Sequence, residues 1–210
     1  DRLRRLNLEN DTMVVYMADH GYSLGQHGRF EKHCCYDPAL RVPLIMRFPG
    51  RIKTGVVHDF TESIDVAPTI LDMMGIDPLP IQHGRSLRPY LEDRKPSAVR
   101  DYIFSQYLEN EEACVRTSRY KFIHCSGKRA RTDGYKTDNP TPGRYVRLYD
   151  LQKDPGEFTD IAKREPETVA KLQAMMLDRF RKTHPDAAHE PPGASSDEAV
   201  EFYLKPRDAA

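Results

Sequence analysis

Residues 12–18, TMVVYMA, form an apolar run that stops on Asp19, His20 and Gly21. A run this continuous suits a strand covered on both faces better than one that alternates half-exposed, so it is expected inside an α/β layer with a largely parallel sheet. Such a strand has no use for a carboxylate and an imidazole at its tip unless they meet water or hold something there. In open α/β sheets the ligand crevice lies beyond the carboxyl ends of the strands, where Asp19 and His20 fall. Neighbouring residues on a strand face opposite ways, and Gly21 permits the bend that would bring both side chains to one point. A carboxylate oxygen and a neutral imidazole nitrogen are donors suited to a divalent cation, the carboxylate favouring calcium, magnesium or manganese. The plain alternative is Asp19 capping a turn, with His20 exposed.

The rest of the chain reads as a succession of strands and helices. Residues 1–8 look helical, and the charged start DRLRRLNLEN is unlike a signal peptide, so the chain is expected to begin in mid-fold. A loop of about 20 residues follows Gly21, a length that is uncommon inside a compact domain and often functional. VPLIMRF at 42–48 is a second strand, and a helix is expected from about Asp65, with Pro68 in its first turn, Gly75 just past its end and Asp65 as its cap. From about residue 93 the chain turns β-branched and aromatic in RDYIFSQYLE, ACVRTSRYKFIHC and VRLYDL, the pattern of an antiparallel sheet. A boundary is therefore placed near Asp93 to Ser97. It separates an α/β core portion over 1–92 from a C-terminal subdomain over 93–210. That subdomain is expected to hold one helix over about 166–183, with Val169, Leu172, Met176 and Phe180 as its packing stripe, and an extended tail over 189–210 that wraps the surface or frays.

Composition narrows the function. With 32 basic and 32 acidic residues the chain has no net charge, which argues against affinity built on neutralising nucleic-acid phosphates. No apolar run approaches the roughly 20 residues of a membrane span. Four cysteines, two of them adjacent at Cys34 and Cys35, do not form a disulfide framework. Asp37 and Arg41, four apart, are spaced to pair on a short helical turn in a supporting role.

The stretch ADHGYSLGQHGRFEKHCCYDPALRVPLIMRFPG, with ESIDVAPTILDMMGI, HGRSLRPYLED, VRTSRYKFI and RLYDLQKDPGEFTDIA after it, resembles the sulfatase family of the alkaline phosphatase superfamily, which is related to the phosphonate monoester hydrolases. The matching positions are Asp19, His20, Gly21, Leu24, Gly25, His27, Gly28, Lys32, Tyr36, Asp37, Arg41 and Pro43. The resemblance implies the later part of an alkaline-phosphatase-like α/β sandwich followed by a small antiparallel sheet. It implies metal-dependent hydrolysis of sulfate esters, with phosphonate or phosphate esters as the alternative. Asp19 and His20 would be metal ligands, most often for Ca2+, with Mn2+ or Mg2+ as alternatives, and Lys32 would contact the anionic ester. His27 would orient a ligand or the leaving group, or else hold its loop. His83 is a candidate for the substrate rim, as are Tyr107 and Glu109. The substrate would be a small-molecule or saccharide sulfate ester, and the location secreted, periplasmic or lysosomal.

One departure from the family pattern is large. The family nucleophile is a formylglycine made from the Cys or Ser of a Cys/Ser-x-Pro/Ala-x-Arg segment, and residues 1–210 contain no such segment. Two further metal-binding aspartates of the family also lie near the start of its full chain. These 210 residues are therefore expected to be inactive alone, the missing N-terminal part of the fold completing the site. Three rivals stand beside this reading. IHCSGKRAR outlines a phosphatase loop with Cys125 as thiolate and Arg131 as anion clamp, but Gly127 is misplaced and breakers follow where a helix belongs. A zinc site from His27, His33, Cys34 and Cys35 lacks any paired C-x-x-C spacing. A non-catalytic binding module would explain the missing nucleophile but gives Asp19, His20 and Lys32 no purpose.

Overall fold

The structure is a computed structural model and describes residues 1–92, 98–108, 111–127 and 144–205. The described residues form two compact units, one drawn from 1–19 and 42–101, the other from 20–41 and 102–205. The boundary expected at 93–97 lies outside the described residues.

In the first unit the short helix α1 (Arg2–Arg5) leads to strand β1 (Val14–Met17), which pairs with β2 (Leu44–Arg47) in the register Val14↔Arg47 to Met17↔Leu44. The pair is antiparallel, not parallel as the apolar run suggested. Between the two strands the chain passes through the second unit, and so long a connection can return it in either direction. Burial differs as well, because Tyr16 and Ile45, opposite each other on the ladder, are 62% and 60% exposed. Helix α3 (Val66–Met74) ends where expected, on Gly75 in the left-handed region at φ 70°. Asp65 does not cap α3 through its side chain. Its fully buried carboxylate instead accepts from the Glu62 amide at 2.7 Å and the Arg85 amide at 2.8 Å, and receives both arms of Arg100 at 2.7 and 2.6 Å. A buried carboxylate needs that many donors. Helix α4 (Arg88–Leu91) is the last helix of this unit among the described residues.

The second unit is built on one four-stranded antiparallel sheet, β3 (Tyr102–Tyr107), β4 (Glu112–Thr117), β5 (Tyr120–Cys125) and β6 (Tyr145–Asp150), in sequential order. ACVRTSRYKFIHC, which reads as one β stretch, is two strands, because the Thr117 hydroxyl accepts the Tyr120 amide at 2.9 Å and closes a turn. Side chains alternate strictly. Ala113, Val115, Phe122 and Leu148 face α5 (Pro166–Thr183), meeting its stripe of Leu172, Met176, Leu177 and Phe180. Cys114, Ile123 and Tyr149 face the other way, onto Cys34, Cys35, Tyr36 and Ala39 of the 20–41 segment and its short helix α2 (Asp37–Leu40). This sheet is therefore covered on both faces.

The tail departs from expectation. Ser196–Leu204 forms helix α6, capped by the reciprocal Ser195–Glu198 box, with Ala199, Val200, Tyr203 and Leu204 buried. Tyr203 stacks on Phe180 with centroids 4.9 Å apart, which makes the helix part of the core. A cap and four apolar residues on one side outweigh the proline-rich approach.

His124 sits on the α6 side of this sheet, fully buried, and among the described residues neither ring nitrogen has a hydrogen-bond partner. Burial pushes its pKa down. Asp197 and Glu201 pull the other way, and Arg144 adds to the depression. A histidine held neutral in the fold costs stability once the unfolded chain can protonate, so stability present above about pH 6.5 falls below it. His124→Leu should raise stability by about 1 kcal/mol at pH 7 by removing unpaired nitrogens, and should flatten the loss between pH 6.5 and 5.5. Urea unfolding across that range measures both, and parallel curves for the two proteins would refute the assignment.

Candidate active site

The loop after β1 folds back on itself. The Ser23 and Glu31 backbones exchange hydrogen bonds at 2.8 and 3.1 Å, and the Gly25 amide reaches the Arg29 carbonyl at 2.8 Å. The reversal at the tip uses positive φ at Gly25 (108°), His27 (55°) and Gly28 (66°), which explains two of its glycines. Gly21 is different. It has no positive φ, but a Cβ there would overlap the Pro38 carbonyl, and its amide donates to Ala39 at 2.7 Å. Space, rather than the bend expected from sequence, requires glycine at this position.

Next to Gly21, the His20 Nδ1 lies 2.8 Å from the Gly21 carbonyl, and the Lys32 Nζ lies 2.9 Å from His20 Nε2. A carbonyl only accepts and an ammonium only donates. Nδ1 therefore carries the proton, and Nε2 presents its lone pair to Lys32. A backbone acceptor on one nitrogen fixes the tautomer and leaves the other available as a ligand. His20 is half-buried and Lys32 exposed.

Three consecutive residues beyond Lys32 are pinned by buried polar groups of the sheet. The Cys35 amide donates to Glu112 Oε1 at 2.7 Å, and the other oxygen of that carboxylate accepts the Tyr145 hydroxyl at 2.7 Å. The Tyr36 hydroxyl meets Tyr149 at 3.2 Å and receives Arg147. The Asp37 amide donates to Glu157 at 2.9 Å, and Lys121 bridges the Asp37 and Glu157 carboxylates at 2.7 and 2.6 Å. Asp37 is thus paired with Lys121, and with Arg116 at 3.7 Å, rather than with Arg41 as its spacing suggested. These anchors lie too far along the chain from the loop to be found by spacing.

The remaining sequence candidates fall as follows. Asp19 is exposed at the end of β1 and closes the first unit, while His20 opens the second. His27 lies flat on Tyr36, with centroids 3.9 Å apart and planes 9° apart, and near Phe158 at 5.4 Å. Burial, then the Lys121, Arg147 and Arg29 charges, push its pKa down. His83 is exposed in the first unit, before Gly84, which abuts the Ile64 carbonyl too closely for a side chain. Tyr107 stacks with His33 at 5.0 Å. Glu109 and Arg131 lie outside the described residues.

The rivals find little support. Cys125 closes β5, buried, its thiol pushed up to about 11 by burial and by Glu112, the reverse of an activated thiolate. Cys34 and Cys35 are buried in the core. Among the described residues no group of three or more His, Cys, Asp or Glu side chains is placed to hold a metal ion. A carboxylate and an imidazole of fixed tautomer are each donor types that suit a divalent cation.

Residues 25–186 match the family model of N-sulphoglucosamine sulphohydrolase, C-terminal. The N-acetylglucosamine-6-O-sulfatase of Bacteroides thetaiotaomicron is 31% identical over 196 residues, covering 88% of this chain and 32% of that protein. The phosphonate monoester hydrolase of Silicibacter pomeroyi superposes with a TM-score of 0.71 at 31% identity, over 89% of this chain and 38% of that one. A structure solved in complex with its substrate D-glucosamine-2-N,6-O-disulfate gives a TM-score of 0.66 at 27% identity, over 88% of this chain and 37% of that one. The mixed α/β arrangement, with its four-stranded antiparallel sheet and helices, is that of the alkaline-phosphatase-like proteins. The chain belongs to the sulfatase family, and what it carries is a C-terminal portion. It spans about a third of the length of the curated relatives it matches. The family in general works with a divalent cation and a formylglycine. Among the described residues no helix is long and apolar enough to cross a membrane.

Proposed function

We propose that the complete protein hydrolyses sulfate esters of saccharides, with residues 1–210 supplying part of the site. The observation that carries this is the His20–Lys32 contact: a histidine with a fixed tautomer presents its bare nitrogen to an ammonium, at the positions where the family resemblance expects a ligand and an anion contact. Asp19 and His20 would hold one divalent cation, Ca2+ being the first choice for its carboxylate donor, with Mn2+ or Mg2+ as alternatives. When bound, that ion supplies electrostatic stabilisation of negative charge on the ester oxygens. One lone pair serves one partner, so Nε2 of His20 would face either the cation or the Lys32 ammonium. Lys32 would contact the anionic ester and stabilise charge as the bond to the leaving oxygen breaks. His27, flat on Tyr36, orients the loop tip and through it the leaving group, and His83 stands at the substrate rim. The formylglycine belongs to sequence outside residues 1–210. A secreted, periplasmic or lysosomal location accompanies this reading.

A phosphonate or phosphate ester hydrolase is the second reading, favoured by the likeness to the Silicibacter pomeroyi enzyme. The complete protein should release sulfate from N-sulfated or 6-O-sulfated glucosamine with a kcat/KM at least about tenfold above that for phenyl phosphonate esters. A reversed ratio would transfer the assignment to the phosphonate class.

A further inference from the structure

The folded-back 21–33 loop has two unlike faces. Pairing of Ser23 with Glu31, and of Gly25 with Arg29, sets Leu24 opposite Phe30 and Tyr22 opposite Lys32. The inner face is polar and closed. Ser23, Arg29 and Glu31 are 0–4% exposed, and Arg29 donates to the Glu31 carboxylate at 2.8 Å and the His33 carbonyl at 3.0 Å. The outer face is the reverse, with Tyr22, Leu24 and Phe30 exposed by 45%, 72% and 55%. These side chains are not loose. The Tyr22 hydroxyl donates to the Phe30 carbonyl at 3.0 Å, and the Phe30 ring lies over Gly25, 3.3 Å from where a Cβ would be. A polar residue at the inner positions and an apolar one at the outer positions invert the pattern of a loop that merely covers a core. In the same outer row stands Lys32, against His20.

We infer that Tyr22, Leu24 and Phe30 form a platform that binds the sugar ring of a sulfated saccharide whose sulfate is held by Lys32. The inference rests on the proposed hydrolase reading and adds to it the residues that distinguish saccharide esters from others. Two physical requirements meet on this face. The apolar C–H face of a pyranose packs on an aromatic surface, and the sulfate on that ring needs a cation a few ångströms from it. A row with apolar and aromatic groups at one end and an ammonium at the other offers both, and a ring-free alkyl sulfate uses only the second.

The test compares two substrates in the complete protein, glucosamine 6-sulfate and ethyl sulfate. Phe30→Ala should raise KM for the sugar ester about tenfold or more, with a smaller change in kcat, and should lower the sugar-to-alkyl ratio of kcat/KM by about tenfold. Leu24→Ser, at the most exposed of the three positions, should lower the ratio in the same direction, and Phe30→Tyr, which keeps a ring, should hold it near the unsubstituted value. An unchanged ratio in Phe30→Ala and Leu24→Ser overturns the platform while leaving the hydrolase reading intact. So does an equal fall on both esters accompanied by a lower melting temperature, the sign that other protein covers this face. If the unsubstituted protein hydrolyses neither ester, nor any other sulfate, the hydrolase reading itself fails.

Discussion

Lys121→Met should lower the stability of the second unit by about 3–5 kcal/mol, the scale for removing one partner of a buried ion pair. The ammonium is fully buried and touches two carboxylates, Asp37 at 2.7 Å and Glu157 at 2.6 Å, the second of them only 1% exposed. Burial alone would pull the lysine pKa down, but the surrounding Cys114, Glu157 and Asp37 more than offset it and the pKa ends above its ordinary value. Without the cation, Glu157 still accepts the Asp37 amide, yet two negative groups face each other out of water. Glu157→Gln in the same chain should recover part of the loss, because the amide keeps an acceptor for Asp37 while removing one charge. Urea unfolding measures it. A change under about 1 kcal/mol for Lys121→Met would mean that water reaches the cluster and that the 35–37 anchor is not what holds this loop.

The largest functional effects should come from the proposed ligands, and they should separate into two kinds. Asp19→Ala in the complete protein should lower sulfate-ester hydrolysis by at least about 10³-fold and should lower bound divalent metal with it, since loss of an ion's direct donor exceeds the 10–100-fold typical of outer partners. Lys32→Ala should reduce turnover by about 10²–10³-fold, the range for one lost charge-stabilising donor, and should leave metal content near one equivalent. Metal analysis on the same preparations used for kinetics provides the comparison. If both substitutions lower metal equally, Lys32 acts on His20 rather than on the ester. If neither changes turnover, the two positions belong to support.

What was legible from sequence follows from how local each signal is. Strands with strict alternation, the α5 stripe and the Gly75 stop of α3 depend on residues within a few positions of each other, and they stand as expected. The His20–Lys32 contact was approachable because both belong to one dense motif. The direction of β2 against β1 was not legible, because an apolar run says that faces are covered and not which way the neighbour runs. Asp37 shows the limit most clearly: its spacing to Arg41 favoured a local pair, whereas its partner is Lys121, 84 residues away on a strand whose alternation faces the loop. Helix α6 is the opposite case. Its Ser195–Glu198 cap and apolar spacing are local signals, but the chain breakers of HEPPGAS directly ahead of them favour an extended tail.

In the proposed site the carboxylate of Asp19 and Nε2 of His20 would share one cation, and the neighbouring ammonium would face the ester. Anomalous scattering from crystals of the complete protein soaked with Mn2+ tests it directly. The expected map has a single strong peak about 2–2.6 Å from both an Asp19 oxygen and His20 Nε2, with the Lys32 amine turned away from that nitrogen. A peak bound elsewhere, with Lys32 still donating to His20 Nε2, would contradict it.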